Sequence, residues 1–235
     1  MYGITFNGKH SFDDYDLFVM SKSIQPPSKD KIKVPVPFMQ GGGWDFSTVG
    51  SNGEIIYNTR EITIKFCIDT TNVSQLYVKY SEILEWLQGT GQQKLVFDDI
   101  SDYYFMAEAE TPPTFSTFIM LGELEVKFVA DPFKIGVDYA TNNLWDTFNF
   151  EEDYLQDGEY DIVGTKTITL YNPKRLVMPT INVSTAMSII YNSKTYNLVV
   201  GDNKLYGLKL ANSVNNIIII NGTGHIKILF KKVSL

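Results

Sequence analysis

Cysteine is nearly missing from this chain: Cys67 is the single one among 235 residues. An intramolecular disulfide is therefore excluded. Cys67 lies in the apolar-rich run Glu61–Ile68 and reads as a small core residue. Histidine is almost as scarce, with His10 and His225 falling in different halves of the chain. A thiol nucleophile would have no base near it in sequence, and neither histidine has the neighbours of a catalytic one. A basic excess is missing too. Lys and Arg number 20 against 27 Asp and Glu, net charge −7, whereas a nucleic-acid binder presents a basic face. Long apolar runs are absent: runs such as Ile217–Ile220 are far short of the ~20 residues that span a bilayer. The opening Met1–Gly8 has neither a basic head nor an apolar run, so synthesis in a cytoplasm is expected. The sequons at Asn72, Asn182 and Asn221 matter only on a eukaryotic secretory route.

What is present is enough for folded cores. Hydrophobic residues make up 44% and aromatics 14%, and the length suits two modest domains or one large β-sandwich. The organising stretch is Val73–Phe105. Leu76, Tyr80, Ile83, Leu84 and Leu87 recur at helical spacing and draw one apolar stripe. Thr71, Asn72 and Ser74 offer N-cap oxygens, and Gly89 is placed to end the helix in the left-handed region. This predicts about four turns between Asn72 and Gly89, laid across a β-sheet. Period two returns in Lys94–Phe97, and after the acidic turn Asp98–Asp102 again in Tyr103–Phe105.

Everything before the helix reads as strand and turn. Ile4 and Phe6 alternate ahead of Asn7-Gly8, a strong hairpin signal. Ser11–Asp16 reads as a polar corner leading into a second strand, and the Pro-bearing Gln25–Lys33 as an exposed connection. In Val34-Pro35-Val36-Pro37 each proline removes a ladder donor, so this is an edge or an extended arm. Gly41-Gly42-Gly43 is followed by Trp44-Asp45-Phe46, without the lysine and hydroxyl of a phosphate loop; a tight turn is the plainer reading. Ile62, Ile64, Phe66 and Ile68 alternate with Glu61, Thr63 and Lys65, giving a strand with one wet side.

Beyond the helix, Tyr103–Glu110 and Ser116–Val129 read as a long antiparallel pair joined through Pro112-Pro113, the second strand stopping at Asp131-Pro132-Phe133. The polar Gly136–Asn143 is the expected boundary between a domain over residues 1–136 and one over 141–235. The second half shows no helical period. Strands are expected at Gly158–Val163, Lys166–Tyr171, Thr180–Val183, Met187–Tyr191, Lys194–Val199, Lys204–Leu210, Ile217–Asn221 and His225–Lys231, which is the pattern of a sandwich or jelly roll.

Candidate functional residues are few. The acidic groups Asp13-Asp14-Asp16, Asp98-Asp99-Asp102 and Glu151-Glu152-Asp153 lack the spacing of a calcium loop and read as solvated turns. No catalytic set, metal site or cofactor is expected. Sugar stacking would need an exposed aromatic of the second domain: Trp145, Tyr154, Tyr191, Tyr196 or Tyr206. Self-assembly asks for less, namely exposed edges and apolar arms. Val34, Pro35, Val36, Pro37 and Phe38, with Pro112 and Pro113, are the candidates for it.

The order of these features resembles the distal tail protein family of long-tailed phages that infect Gram-positive bacteria. The carriers are Tyr15–Val19, Val34-Pro35 before a glycine loop, and Asp45 after it. Tyr57 and Arg60 lead into the Ile62–Ile68 strand, and Trp86-Leu87 stand near the helix end. Lys94–Asp98, Tyr103-Tyr104, Ala107 and Phe128…Asp131-Pro132-Phe133 follow. Pro179–Val183, Tyr196-Asn197-Leu198 and Ile226–Leu235 continue the match to the end of the chain. The loop Gly41-Gly42-Gly43-Trp44 departs from the arginine- and aspartate-containing form usual there, so no role is carried onto it.

The resemblance implies a mainly β protein: an N-terminal barrel-like β domain with one helix that builds a ring, and a C-terminal galectin-like β-sandwich. It implies a structural virion protein at the tail tip, made in the host cytoplasm and not an enzyme. The implied partners are itself, as a hexameric ring, the major tail tube protein, a tail-associated hub or lysin protein, and a receptor-binding protein. A lectin-like module contacting host-wall glycans is the alternative, and the compact second half leaves no room for large carbohydrate-binding insertions.

Overall fold

The computed structural model describes residues 3–38, 40, 42–51, 54–69, 73–110, 113–118, 121–141, 154–212 and 214–235. The chain divides into two compact units, Met1–Lys134 with Leu235, and Ile135–Ser234.

The first unit opens with the hairpin of β1 (Ile4–Phe6) and β2 (Lys9–His10). Asn7 and Gly8 both take positive φ, 50° and 74°, which is the turn whose twist matches the flanking strands. Next comes α1 (Ser11–Tyr15), where sequence alone reads a polar corner. His10 caps it, its side chain accepting from the Asp13 amide, while Asp13 and Asp14 sit in the first turn, the end that favours negative charge. Asp16 closes it at φ 53°. Then follow β3 (Leu17–Ile24), β4 (Lys33–Pro35), β5 (Gly43–Asp45), β6 (Arg60–Asp69), α2 (Val73–Gln88), β7 (Gln93–Phe97), β8 (Tyr103–Glu108), β9 (Thr114–Phe118) and β10 (Leu121–Tyr139). The sheet runs β2-β1-β7-β8-β10-β6-β3, with β9 also paired to β10.

One face of this sheet is dry. Ile62, Ile64, Phe66 and Ile68 of β6 and Leu124, Val126 and Phe128 of β10 point into it, and Leu76, Ile83, Trp86 and Leu87 of α2 cover it. Phe6 meets Phe128 edge-on, ring centroids 5.2 Å apart. The opposite face is wet: Lys65 stands directly across from Glu125, with Nζ 3.2 Å from the carboxylate.

Several elements depart from expectation. Gly89 does not turn left-handed; its amide donates to the Glu85 carbonyl at 2.9 Å, one more helical bond. The capping candidates Thr71 and Asn72 lie outside the described residues. Within α2 the buried face is rotated toward Trp86 and leaves Leu84 only half-buried. Trp86 settles there because its indole N–H donates to the Phe6 carbonyl at 2.9 Å and Tyr15 stacks on its ring at 4.6 Å. Cys67 is half-buried on the wet face, as its alternation with Phe66 and Ile68 requires. The segment before Val129 is two strands, β9 turning back onto β10. Nor does β10 stop at Pro132. Proline removes only a donor, and its carbonyl accepts from the buried guanidinium of Arg60, which also lies over the Phe105 ring.

The second unit takes in the end of β10, then β11 (Glu159–Tyr171), β12 (Thr180–Val183), β13 (Met187–Tyr191), β14 (Lys194–Leu198), β15 (Gly201–Lys204), β16 (Asn215–Leu229) and β17 (Lys231–Ser234). Here sequence punctuation misleads. The expected strands stop at Val163 and Asn221, yet Gly164 and Gly222 face each other inside one long β11–β16 ladder at φ 80° and 147°. Glycines there bend strands without ending them. A side chain on Gly222 would press into Met187, 2.8 Å away. Lys204–Leu210 is strand only at its first residue, and the chain turns at Tyr206-Gly207.

The strand order β14-β13-β16-β12-β15 puts β14 and β15 at opposite ends of the sheet, yet Val199-Val200 alone connects them. The sheet must therefore roll until its ends meet. Buried Asn203 holds that closure: it accepts from the Val199 amide at 3.0 Å and donates to the carbonyls of Val199, Gly201 and Ile181. Ile189, Leu198, Leu208, Ile218, Ile220 and Ile228 pack inside.

Candidate assembly surface

The proline-bearing arm is an exposed two-stranded hairpin. Val34 pairs with Trp44 and Pro35 with Gly43. Pro35 is tolerated because β4 is an edge with no further strand to donate to. Gly43 is required by contact, since a Cβ there would lie 2.2 Å from the Val34 carbonyl oxygen. That close approach accounts for Gly43; Gly42 turns at φ 83°, and Gly41 is outside the described residues.

Alternation sorts the hairpin into two faces. Ile32, Val34, Trp44 and Phe46 share one, the Phe46 amide donating to the Ile32 carbonyl at 2.8 Å. All four are exposed, Trp44 at 58%. Lys31, Lys33 and Asp45 share the other. Phe38, past Pro37, projects fully into solvent at φ 63°, a costly conformation for an aromatic residue. Val36 is half-buried and Pro37 exposed.

The base of the hairpin is pinned by polar contacts. Asp45 accepts from the Ser47 amide at 2.9 Å and from Lys31 Nζ at 2.9 Å, while Ser47 Oγ accepts from the Ile32 amide at 2.9 Å. The Ser47 hydroxyl first, then Lys31 and the Ser47 amide, hold the Asp45 carboxyl well below the usual carboxylate range. Isolated two-stranded hairpins are marginal in water; this one gains a fixed root and leaves four apolar side chains uncovered. Of the other arm candidates, Pro113 is buried and Pro112 lies outside the described residues.

A second apolar patch, which sequence reasoning missed, lies on the outer side of α2. Tyr77 and Val78 are exposed there. Tyr80 stacks on Phe115 of β9 at 4.2 Å, and Tyr77 meets the same ring edge-on at 6.3 Å. Its signal was in the sequence: Tyr77 and Val78 fall outside the Leu76–Leu87 stripe yet are apolar or aromatic.

The aromatic candidates of the second unit do not converge. Tyr191 is a core residue, 4% exposed, donating to Asn216 Oδ1 at 2.7 Å. Tyr196 is half-buried and donates to the Gly207 carbonyl at 2.8 Å. Tyr154 rests against Tyr171 at 4.4 Å, Tyr206 stands alone at 86% exposure, and Trp145 is outside the described residues.

The polar groups are engaged locally. His10 lies between Asp13 and Asp98, at 3.0 and 3.2 Å, and His225 between Asp161 and Glu159, at 2.9 and 3.7 Å. Asp16 pairs with Lys79 and Asp99 with Lys22, while Glu151, Glu152 and Asp153 are outside the described residues. Among the described residues no group of three or more His, Cys, Asp or Glu is placed to hold a metal ion, and no helix is long and apolar enough to cross a membrane.

Comparison with known proteins adds to this geometry. Residues 21–130 match the model of the phage tail protein RIFT-related domain. The whole chain superposes on the crystal structure of the Dit (gp 19.1) protein of phage SPP1, described as a paradigm of the hub adsorption apparatus in phages infecting Gram-positive bacteria. The TM-score is 0.67, at 14% identity and full coverage of both chains. A chain of the phage p2 baseplate in its activated conformation also aligns, over 100% of this chain and 98% of that one, at 8% identity and TM-score 0.44. No curated protein matches by sequence. Residues 21–130 therefore match a phage tail protein domain, and the chain shares the fold of the SPP1 Dit protein.

Proposed function

We propose that this chain is a structural virion protein, the distal tail protein that forms a ring-shaped hub at the tip of a phage tail and joins the tail tube to the host-recognition apparatus. The observation that carries the reading is the coincidence of a phage tail domain with a pinned, uncovered apolar hairpin inside that same domain. A ring needs a surface that reaches from one subunit to the next in the same sense each time, so that rotation closes. The arm from Ile32 to Phe46 supplies one.

The subunit number proposed is six, with the major tail tube protein and a tail-associated hub protein on the ring's two faces and a receptor-binding protein beyond. The protein works by assembly rather than by chemistry. Its domains are a ring-forming unit over residues 1–136 and a sandwich over 141–235. Negative-stain microscopy of the purified protein tests the reading: closed rings with uniform rotational symmetry are expected. Monomers at every concentration up to the solubility limit, and in the presence of the tube protein, would refute it.

A further inference from the structure

A closed ring requires two different surfaces on each subunit, one to give and one to receive. The arm is the first. We propose that the outer face of α2, with Phe115 beside it, is the second, and that it receives the apolar face of the arm from another copy of this chain. This rests on the ring reading above and specifies its contact.

Three features single out α2. Its exposed side carries Tyr77 and Val78 where a purely solvated helix would be polar. Tyr77 is already braced against Phe115, which stacks on Tyr80, so the patch is rigid and would cost little to order on binding. Glu82 and Glu85 on that side are both exposed, and among the described residues neither is in an ion pair, although Lys9 lies near enough to attract Glu82.

The arm is complementary on each count. Ile32, Val34, Trp44 and Phe46 form an uncovered apolar face. Asp45 is taken up by Lys31, which leaves Lys29 and Lys33 as exposed cations without ion-pair partners among the described residues. The arm thus carries uncompensated positive charge, Lys33 on the face opposite its apolar one, and the outer side of α2 carries uncompensated negative charge. Such charges act more on orientation and partner choice than on raw affinity, which is what a ring of identical subunits needs.

Disulfide trapping tests this directly. In a Cys67→Ser background, Trp44→Cys and Val78→Cys are introduced together, and the protein is oxidised mildly and run without reductant. A ladder of covalent oligomers is expected that ends at the ring size, with neither single variant passing beyond a dimer. A second arm uses charge: Lys33→Glu should lower the oligomer fraction several-fold, and adding Glu82→Lys should restore it. Wild-type rings without a ladder and without rescue would show that the arm docks elsewhere, leaving the ring reading intact. A fast-migrating, internally cross-linked monomer would overturn the proposal too, since the arm would then fold onto its own helix. Wild-type protein that never associates would sink both.

Discussion

Leu87→Ala is the substitution that most sharply separates the structure from the simple helical stripe. Leu87 is fully buried beneath α2, whereas Leu84, its partner on the sequence-derived stripe, is half-buried. Truncating Leu87 removes three carbons from a dry site, about 2.4 kcal/mol at ~0.8 kcal/mol per carbon. The cavity term should bring the total to roughly 3–4 kcal/mol, since Ile83, Trp86 and the sheet cannot collapse onto the gap. Leu84→Ala opens no closed cavity and should cost about 1 kcal/mol. Urea unfolding followed by fluorescence of Trp86 as the sole tryptophan, after Trp44→Phe and Trp145→Phe, isolates the first unit. The midpoint should fall strongly for Leu87→Ala and slightly for Leu84→Ala at unchanged slope. Equal losses for the two leucines would mean that the buried face of α2 is assigned wrongly, and with it the exposed face that carries Tyr77 and Val78.

In the second unit, Asn203→Ala should cost at least about 2 kcal/mol in a thermal melt, because it leaves the Val199 amide and several carbonyls unpaired inside the closure. Asn182→Ala, which removes one exposed bond to Asp202, should stay within about 0.5 kcal/mol. The Asp45 carboxyl is depressed in the folded protein. Its contribution to the root of the arm is therefore complete above the ordinary carboxylate range and lost only as pH falls through the lower folded value. A side-chain NMR titration should give an Asp45 midpoint well below the ordinary carboxylate value; an ordinary midpoint would mean that the Ser47–Lys31 contacts do not hold in solution. Cutting between Lys134 and Ile135 should give a first half that self-associates in light scattering and a second half that stays monomeric with one melt. Assembly by the second half alone would reverse that division. Tyr206→Ala should leave the second unit's response to host-wall glycan fragments unchanged, and saturable binding that depended on Tyr206 would restore the lectin reading.

The residues alone determine what depends on near neighbours in the chain. Asn7-Gly8 makes a turn with both φ positive wherever it sits between strands. Leu76, Ile83 and Leu87 make a helix, and the alternations in Ile62–Ile68 and Leu124–Phe128 make two-faced strands, because side-chain direction follows backbone period. Proline in Val34–Pro37 marks an edge because a missing donor is a local fact. Tertiary structure decides everything that depends on who stands opposite. Gly164 and Gly222 are bends inside a ladder and not its ends, because each found the other as partner. Trp86 is buried because the Phe6 carbonyl and the Tyr15 ring wait at one edge of the stripe, while Leu84 at the other edge stays half-buried. Buried Asn203 looks like a turn residue until Ile181 arrives opposite it from β12, a strand far away in sequence. The same holds for the arm. Its sequence makes it extended, but only the fold shows that nothing within the described chain covers Ile32, Val34, Trp44 and Phe46, since burial belongs to pairs of surfaces and not to any one stretch of residues.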